Sequence, residues 1–443
     1  TNIIAFFFTA LMCHQLLAAR RPAPDRLTEF YLLMSLGGVV GGAFTALLAP
    51  VIFNMVWEYP LVLVLVGLAR PWGKGEITGK LLGALIAAAA VGAAPGLLSL
   101  WLDSNDEARR AFYQFFPLGM GQLAMFMLIP AAICAFLVRD RAPVYTVILV
   151  MIALSSQWIA RGYDWTFSER SFFGVMRVAN VQDPRLGGDV HVLMHGTTLH
   201  GAQARHGHNE CAPTLYYNVA TPIGQSALMV QQRGPARIGV VGQGSGAMAA
   251  YKRPVDRMTF FEIDPAVDRL SRDPKWFTYI SKCAEGPIDT VLGDARLTLN
   301  HQPAGSYDLL IIDAFSSDAV PTHLLTAEAN QGYLRLLKPN GVVLLHLSNR
   351  NLEITLPAIA AAQQLGVPSL HQIYYEGTES PDMSEASTEA LILSPTAQGL
   401  ADFTRDPRWT TPGRTSVRPW TDDYVNLFGA LWRSRFPPPE RPL

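Results

Sequence analysis

The sequence predicts two parts: an α-helical transmembrane bundle over residues 1–160, then an α/β doubly wound domain that opens with a small β-rich region. Three observations predict this. Apolar residues make up 49% of the 443 residues and charged residues only 16%, against roughly 25% charged in ordinary soluble domains. The charge deficit is concentrated before residue 160, where apolar blocks run at 2–19, 30–53, 59–69, 81–101, 117–138 and 142–160. After residue 165, short apolar strands alternate with helical stretches, the pattern of a parallel sheet wrapped by helices.

The same composition excludes a disordered chain, a collagen-like chain and a small disulfide scaffold. Net charge is −1, from 35 basic and 36 acidic residues, so no strong field is available to hold nucleic acid. The four cysteines, at 13, 134, 211 and 283, form no CxxC pair. Neither a disulfide frame nor a thiolate metal site is expected from them.

A bilayer-spanning helix needs about 20 mostly apolar residues. Four or five of the blocks meet that, and the short block at 59–69 brings the expected count to about six. Glu29 and Glu58 lie near block ends, where exposure at the interface accounts for them. The chain begins at Thr1 inside an apolar block and is read as truncated or processed at its N-terminus. The connections carry Arg20, Arg21 and Arg26, then Arg70, Lys74 and Lys80, then Arg109 and Arg110, then Arg139 and Arg141. With six spans, the excess of positive charge would place the remainder of the chain outside the cytoplasm.

The second part carries a nucleotide-binding pattern. Residues 237–241 form an apolar strand that runs into Gly242-Gln243-Gly244-Ser245-Gly246. Glycines there let the backbone turn sharply and approach a ligand closely. A second strand, at 258–261, ends in Glu262, 20 residues after Gly242. That is the spacing at which a carboxylate reaches ribose hydroxyls. A third strand, 290–292, leads to Gly293-Asp294-Ala295, a fourth, 307–312, ends at Asp313, and a fifth spans 341–347. Helical stretches at 265–272, 324–337 and 353–365 separate them. Ligands sit at the C-terminal strand ends of such sheets, so Glu262, Asp294 and Asp313 share the binding edge. An acidic edge suits a cationic sulfonium better than a pyrophosphate. The expected cofactor is therefore S-adenosylmethionine or its decarboxylated form, bound as a substrate and without a metal. Because that compound is made in the cytosol, its supply takes precedence over the loop charges, and the second part is expected to face the cytoplasm.

The runs GVVGQGSGAMAAY, FFEIDPAV, LGDARLTL and YDLLIIDAFSSDAVPTHLLTAEA resemble the spermidine synthase family of aminopropyltransferases, and in particular its bacterial membrane-fused members. RSFFGVMRV and LMHGTTLHGAQ resemble that family's N-terminal β-region, TPIGQSALM its lead-in to the sheet, and HQLLAARRPAPDRLTEFYL its membrane part. The resemblance implies a Rossmann-like, methyltransferase-type fold, with a β-rich region over 165–225 and a catalytic domain over 226–435. It implies that Glu262 binds the ribose diol, that Asp294 and Ala295 hold the adenine, and that Gly242, Gly244, Gly246 and Gln203 line the methionine-like tail. Asp313 matches the first acid of the family's Asp-Ser-x-Asp loop, which assists deprotonation of the attacking amine. Asp318, Tyr216, Tyr217 and Glu210 would meet the acceptor.

The same resemblance implies transfer of an aminopropyl group to a polyamine such as putrescine, with release of methylthioadenosine. The expected setting is a multi-pass protein of a bacterial inner membrane, with the lipid bilayer as partner and a homodimer among the expectations. Two departures stand out. Asp318 follows Asp313 by five residues rather than three, and the acceptor stretch ARHGHNECAPTLYYNV has one acid, Glu210. They keep open a methyltransferase, a lyase-like reaction giving methylthioadenosine, and a cofactor-sensing membrane protein. Trp420-Thr421-Asp422-Asp423-Tyr424 resembles a motif of the fused subfamily, with helix capping and a substrate role weighted equally. The histidines at 195, 200, 206 and 208 match no metal-ligand spacing.

Overall fold

Seven strands form the sheet on which the C-terminal unit is built, in a computed structural model that describes residues 2–68, 79–105, 107–108, 111–112, 120–138, 141–159, 165–196, 198–315, 320–377 and 383–436. The chain divides into two units, Thr1–Asp164 and Trp165–Leu443.

The first unit is helical, with helices at Asn2–Ala19, Leu27–Ala43, Glu58–Leu68, Gly79–Asp103, Met120–Leu137 and Ala142–Ile159. Among the described residues, two stretches, Pro24–Ile52 and Gly79–Leu102, are long and apolar enough to cross a membrane by length and composition. The apolar helices Thr9–Ala19, Glu58–Gly67, Leu128–Leu137 and Ala142–Ser156 are shorter, so the length criterion reaches two of the six expected spans. Gly79–Asp103 packs on Ala142–Ile159 through small residues. A Cβ at Gly92 would lie 2.6 Å from Met151 Cβ, and one at Gly96 would lie 2.9 Å from Ser155 Oγ. Ser155 Oγ donates to the Gly92 carbonyl at 2.8 Å. Glu58 is buried rather than exposed, contrary to the expectation from its place at a block end.

The second unit begins with an antiparallel meander: β1 (Trp165–Ser171), β2 (Gly174–Asp183), β3 (Gly188–His195) and β4 (Thr198–Ala204). The larger sheet follows: β5 (Arg237–Val241), β6 (Arg257–Glu262), β7 (Asp289–Leu292), β8 (Tyr307–Ile312), β9 (Leu337–His346), β10 (Ser369–Tyr374) and β11 (Thr388–Leu393). Their spatial order is β10-β11-β9-β8-β5-β6-β7. Strands β5 to β9 run parallel, and β11 is antiparallel to both its neighbours. The sheet is therefore mixed, and the sequence reading missed its last two strands. The apolar runs of β5, β8 and β9 feed both faces. Ile238, Val240, Leu309, Ile311, Val342 and Leu344 point into one core, while Val241, Leu310, Ile312, Val343 and Leu345 point into the other. Burial on both faces is why these strands read as continuous apolar segments. The meander is fastened to the sheet by a third cluster, in which Met176, Val178 and Leu193 meet Val267 and Leu270 of helix Pro265–Arg272, with Trp276 and Phe277 beyond it.

One expectation is overturned. Cys211 and Cys283 form a disulfide with a Cα separation of 5.3 Å. They lie 72 residues apart in sequence, and only the packing of the segment after β4 against Tyr279–Cys283 brings them together.

Candidate active site

The strand order reverses around β5, which pairs β6 on one side and β8 on the other. Ligands of open α/β sheets bind at such a switch point, beyond the C-terminal strand ends. A cavity of about 220 Å³ lies there, lined in part by Gly242, Gly244, Glu262, Asp294, Ala295 and Asp313.

The glycine turn is forced by its neighbours. Gly242 has φ of +91°, and a Cβ on it would lie 2.2 Å from the Asp313 carbonyl oxygen. Any side chain there would push β8 away, so the turn brings the end of β5 against Asp313. Gly244 lines the cavity with φ of +53°. Gly246, at φ +83°, abuts Ile280 and stands outside the lining.

Glu262 closes β6 and is buried. One carboxylate oxygen accepts the Gln243 amide N–H at 2.8 Å, and the other accepts the Asp264 amide N–H at 2.9 Å. Burial pushes this carboxyl above its ordinary range, opposed by those amides. Each oxygen keeps a lone pair for a further donor. Asp294 caps helix Ala295–Asn300 by accepting the Arg296 amide N–H at 2.8 Å. The described lining carries four carboxylates, at 262, 264, 294 and 313, and neither lysine nor arginine. His195 and His200 are also on this wall. Burial lowers the His195 pKa, which favours the neutral ring.

Asp313 follows β8 and is 8% exposed. Tyr217 Oη donates to its Oδ2. Burial and the neighbouring Asp313 push the Tyr217 phenol well above its ordinary value, so it remains a donor. Leu215, just before the tyrosine pair, has φ of +54°, a left-handed conformation that costs a non-glycine residue about 1 kcal/mol or more. The turn delivers Tyr217 onto Asp313 and places Tyr216 beside it, ring centroids 4.5 Å apart.

A second cavity, of about 570 Å³, lies on the other side of Asp313. Asp313, Tyr216, His200 and Phe315 line both cavities. The second is walled by the β10–β11 end of the sheet, including Glu376, Glu385 and Glu389, with Arg350 as a cation. These three glutamates escaped the sequence reading because strands β10 and β11 did. His346 was missed as well. Its Nδ1 lies 2.5 Å from Asp313 Oδ1. A signal for it existed: Ile312 pairs with Leu345, so the residues that follow each, Asp313 and His346, are neighbours at one sheet edge.

The expected site residues divide accordingly. Gly242, Gly244, Glu262, Asp294, Ala295, Tyr216, Tyr217 and Asp313 converge on the first cavity. Gln203 and Glu210 do not line either cavity. Gln203 Nε2 donates to the Glu210 carbonyl at 2.8 Å and to Thr278 Oγ1 at 2.9 Å, and its Oε1 accepts the Thr278 amide N–H at 2.7 Å. Glu210 pairs with Lys282 at 2.6 Å. Both hold the segment around the disulfide, away from the edge of the sheet. Asp318 lies outside the described residues. Asp422 accepts from Arg296 at 2.7 Å and from Thr326 Oγ1 at 2.8 Å, so it braces two helix starts. His206 and His208 are exposed, and no group of three or more metal-ligating residues occurs among the described residues.

No family model matches the chain. Over 114 residues it is 31% identical to the polyamine aminopropyltransferase of Vibrio vulnificus strain CMCP6, covering 25% of this chain and 36% of that protein. The match thus spans about a third of the curated relative's length. A probable spermidine synthase from Corynebacterium glutamicum ATCC 13032 aligns over 60% of this chain and 97% of its own, at 17% identity and a TM-score of 0.41. Spermidine synthase from Thermotoga maritima aligns over 60% and 84%, at 14% identity and a TM-score of 0.36. The sequence match supports the resemblance to spermidine-synthase-like aminopropyltransferases.

Proposed function

We propose that the C-terminal unit is an aminopropyltransferase that moves the aminopropyl group of decarboxylated S-adenosylmethionine to an amine of a polyamine. The observation that carries this reading is the position of Asp313, on the wall shared by the two cavities. The donor would occupy the first cavity. Ribose hydroxyls would donate to the free lone pairs of Glu262, Asp294 and Ala295 would meet the adenine, and Gly242 and Gly244 would let the tail approach the backbone. Four carboxylates without a lysine or arginine suit a sulfonium. A neutral His195 offers an α-carboxylate little, which favours the decarboxylated form.

The acceptor would enter from the second cavity, where Glu376, Glu385 and Glu389 face a polycation. An ammonium cannot attack until it loses a proton, and Asp313 both attracts the cation and assists that loss. The amine lone pair then attacks the carbon beside sulfur, and the C–S electron pair leaves with methylthioadenosine. Holding both reactants across one carboxylate supplies much of the rate through proximity.

The first unit we read as a multi-pass membrane anchor. Large apolar side chains on its helices, such as Val39, Leu47 and Val51, are exposed, which suits lipid. Gly92 and Gly96 are spaced for close helix contact within a bilayer. Cytosolic synthesis of the donor places the second unit on the cytoplasmic face.

The direct test is mass spectrometry of products after the full chain in detergent is incubated with each cofactor form and with putrescine or spermidine. Methylthioadenosine and an amine heavier by one aminopropyl group are expected only with the decarboxylated form and an acceptor. Methylthioadenosine without an acceptor, or a methylated product, would contradict the reading.

A further inference from the structure

Three side chains stand in a line at the wall of the second cavity. Asp313 Oδ1 lies 2.5 Å from His346 Nδ1, and His346 Nε2 lies 2.9 Å from Ser348 Oγ. Asp313 and His346 are 8% and 5% exposed. The imidazole ring sits between Tyr216, centroids 5.0 Å apart, and Phe315, centroids 5.6 Å apart and edge-on. Both neighbours belong to the walls of the cavities, so the ring is fixed by the same residues that shape the site.

The hydrogen-bond directions assign the tautomer. The Asp313 carboxylate can only accept, so Nδ1 donates to it, and Ser348, whose Oγ also accepts the Glu389 amide N–H at 2.8 Å, gives its O–H to His346 Nε2. Nε2 is then the acceptor and Nδ1 carries the proton, aimed at Asp313. Tyr217 Oη donates to the other carboxylate oxygen, Oδ2. The resting imidazole is thus a base whose lone pair faces Ser348, and Ser348 lines the second cavity.

We propose that His346 is the residue on which the acceptor's proton comes to rest, acting through Ser348 and Asp313 rather than by touching the substrate. This rests on the transfer reading above. The acceptor ammonium gives a proton to Ser348 Oγ while the serine's own proton passes to His346 Nε2. The amine becomes neutral and the ring becomes an imidazolium, with Nδ1–H against the Asp313 carboxylate. The amine lone pair forms the new C–N bond, the C–S pair returns to sulfur, and the product amine carries the positive charge lost by the sulfonium. The imidazolium later returns its proton to water in the second cavity. Carboxylate, imidazole and hydroxyl in this order also activate serine nucleophiles. Here the Glu389 amide N–H already occupies the serine oxygen, which suits passing a proton more than attack. Asp313 is in contact with the ring, and the other titratable groups that line the second cavity with it are His200, Tyr216, Arg350, Tyr374, Tyr375, Glu376, Glu385 and Glu389.

The test has two arms on the full chain. In the first, His346→Gln keeps a hydrogen-bond donor for Asp313 but cannot hold the proton. Its kcat is expected to fall about 100-fold, with the acceptor KM held within about twofold and the acid limb of the kcat–pH profile lost. Unchanged kcat and profile would overturn the proposal. In the second arm, histidine-selective 15N labelling reads the ring without turnover, with His346→Gln assigning the signal. Nδ1 is expected to carry the proton at rest, with Nε2 bare and accepting from Ser348. A ring protonated at Nε2 at rest would overturn the proposal. If the wild type makes no methylthioadenosine from any acceptor, the transfer reading falls. The proposal falls with it, whereas an unaffected His346→Gln beside a wild type that does transfer overturns the proposal alone.

Discussion

Glu262 shows how much one residue's surroundings settle. Its carboxylate is buried and fixed by the amides of Gln243 and Asp264, so in the proposed reading it would need no rearrangement to receive two ribose hydroxyls. Glu262→Ala is expected to weaken binding of methylthioadenosine or the donor by about 1–3 kcal/mol, the scale for hydrogen bonds to a charged group. Calorimetry on the purified chain checks this, and unchanged affinity would remove the ribose assignment. Glu262 was legible in the sequence because strand, glycine turn and acid follow one another at fixed spacing. Gln203 and Glu210 do not reach the cavities because the face that β4 gives Gln203, and the path of the segment after β4 that carries Glu210, turn both toward a neighbouring loop. Thr278 and Lys282, which claim them, lie about 70 residues further along the chain.

At the scale of elements, the parallel core was readable and its antiparallel edge was not. Strands β5, β8 and β9 are buried on both faces and announce themselves as apolar runs. Strand β10 mixes polar and apolar residues, SLHQIY, and although β11 carries the short apolar run ALIL, the place of both at the end of the sheet depends on β11 pairing with β9. The disulfide was equally hidden. Its cysteines meet only after the segment that follows β4 docks on Tyr279–Cys283. That bond bears on the membrane side, because disulfides persist in oxidising compartments and are rare in the cytosol. If the unit faces the cytoplasm, as proposed from its donor supply, thiol trapping in intact cells is expected to alkylate both Cys211 and Cys283. The bond would then form on isolation in air. Cysteines still protected after trapping would put the unit on the oxidising side and overturn the cytoplasmic placement.

At the scale of the whole molecule, one unit supplies apolar helices and the other two cavities with a common wall. The helices account for the low charge of the composition, and the cavities account for the acids at the strand ends. The common wall is what makes a transfer reaction the reading, since a sensor needs the first cavity alone. Asp313 is the group both cavities share with a carboxylate, and Tyr217 and His346 hold it in place. The most direct test is Asp313→Asn, measured for both binding and turnover. Methylthioadenosine affinity close to wild type, with turnover reduced by about 100-fold or more, is the predicted result for a group that assists proton removal. Full turnover in Asp313→Asn would contradict the account, because proton removal from the acceptor would then not depend on Asp313.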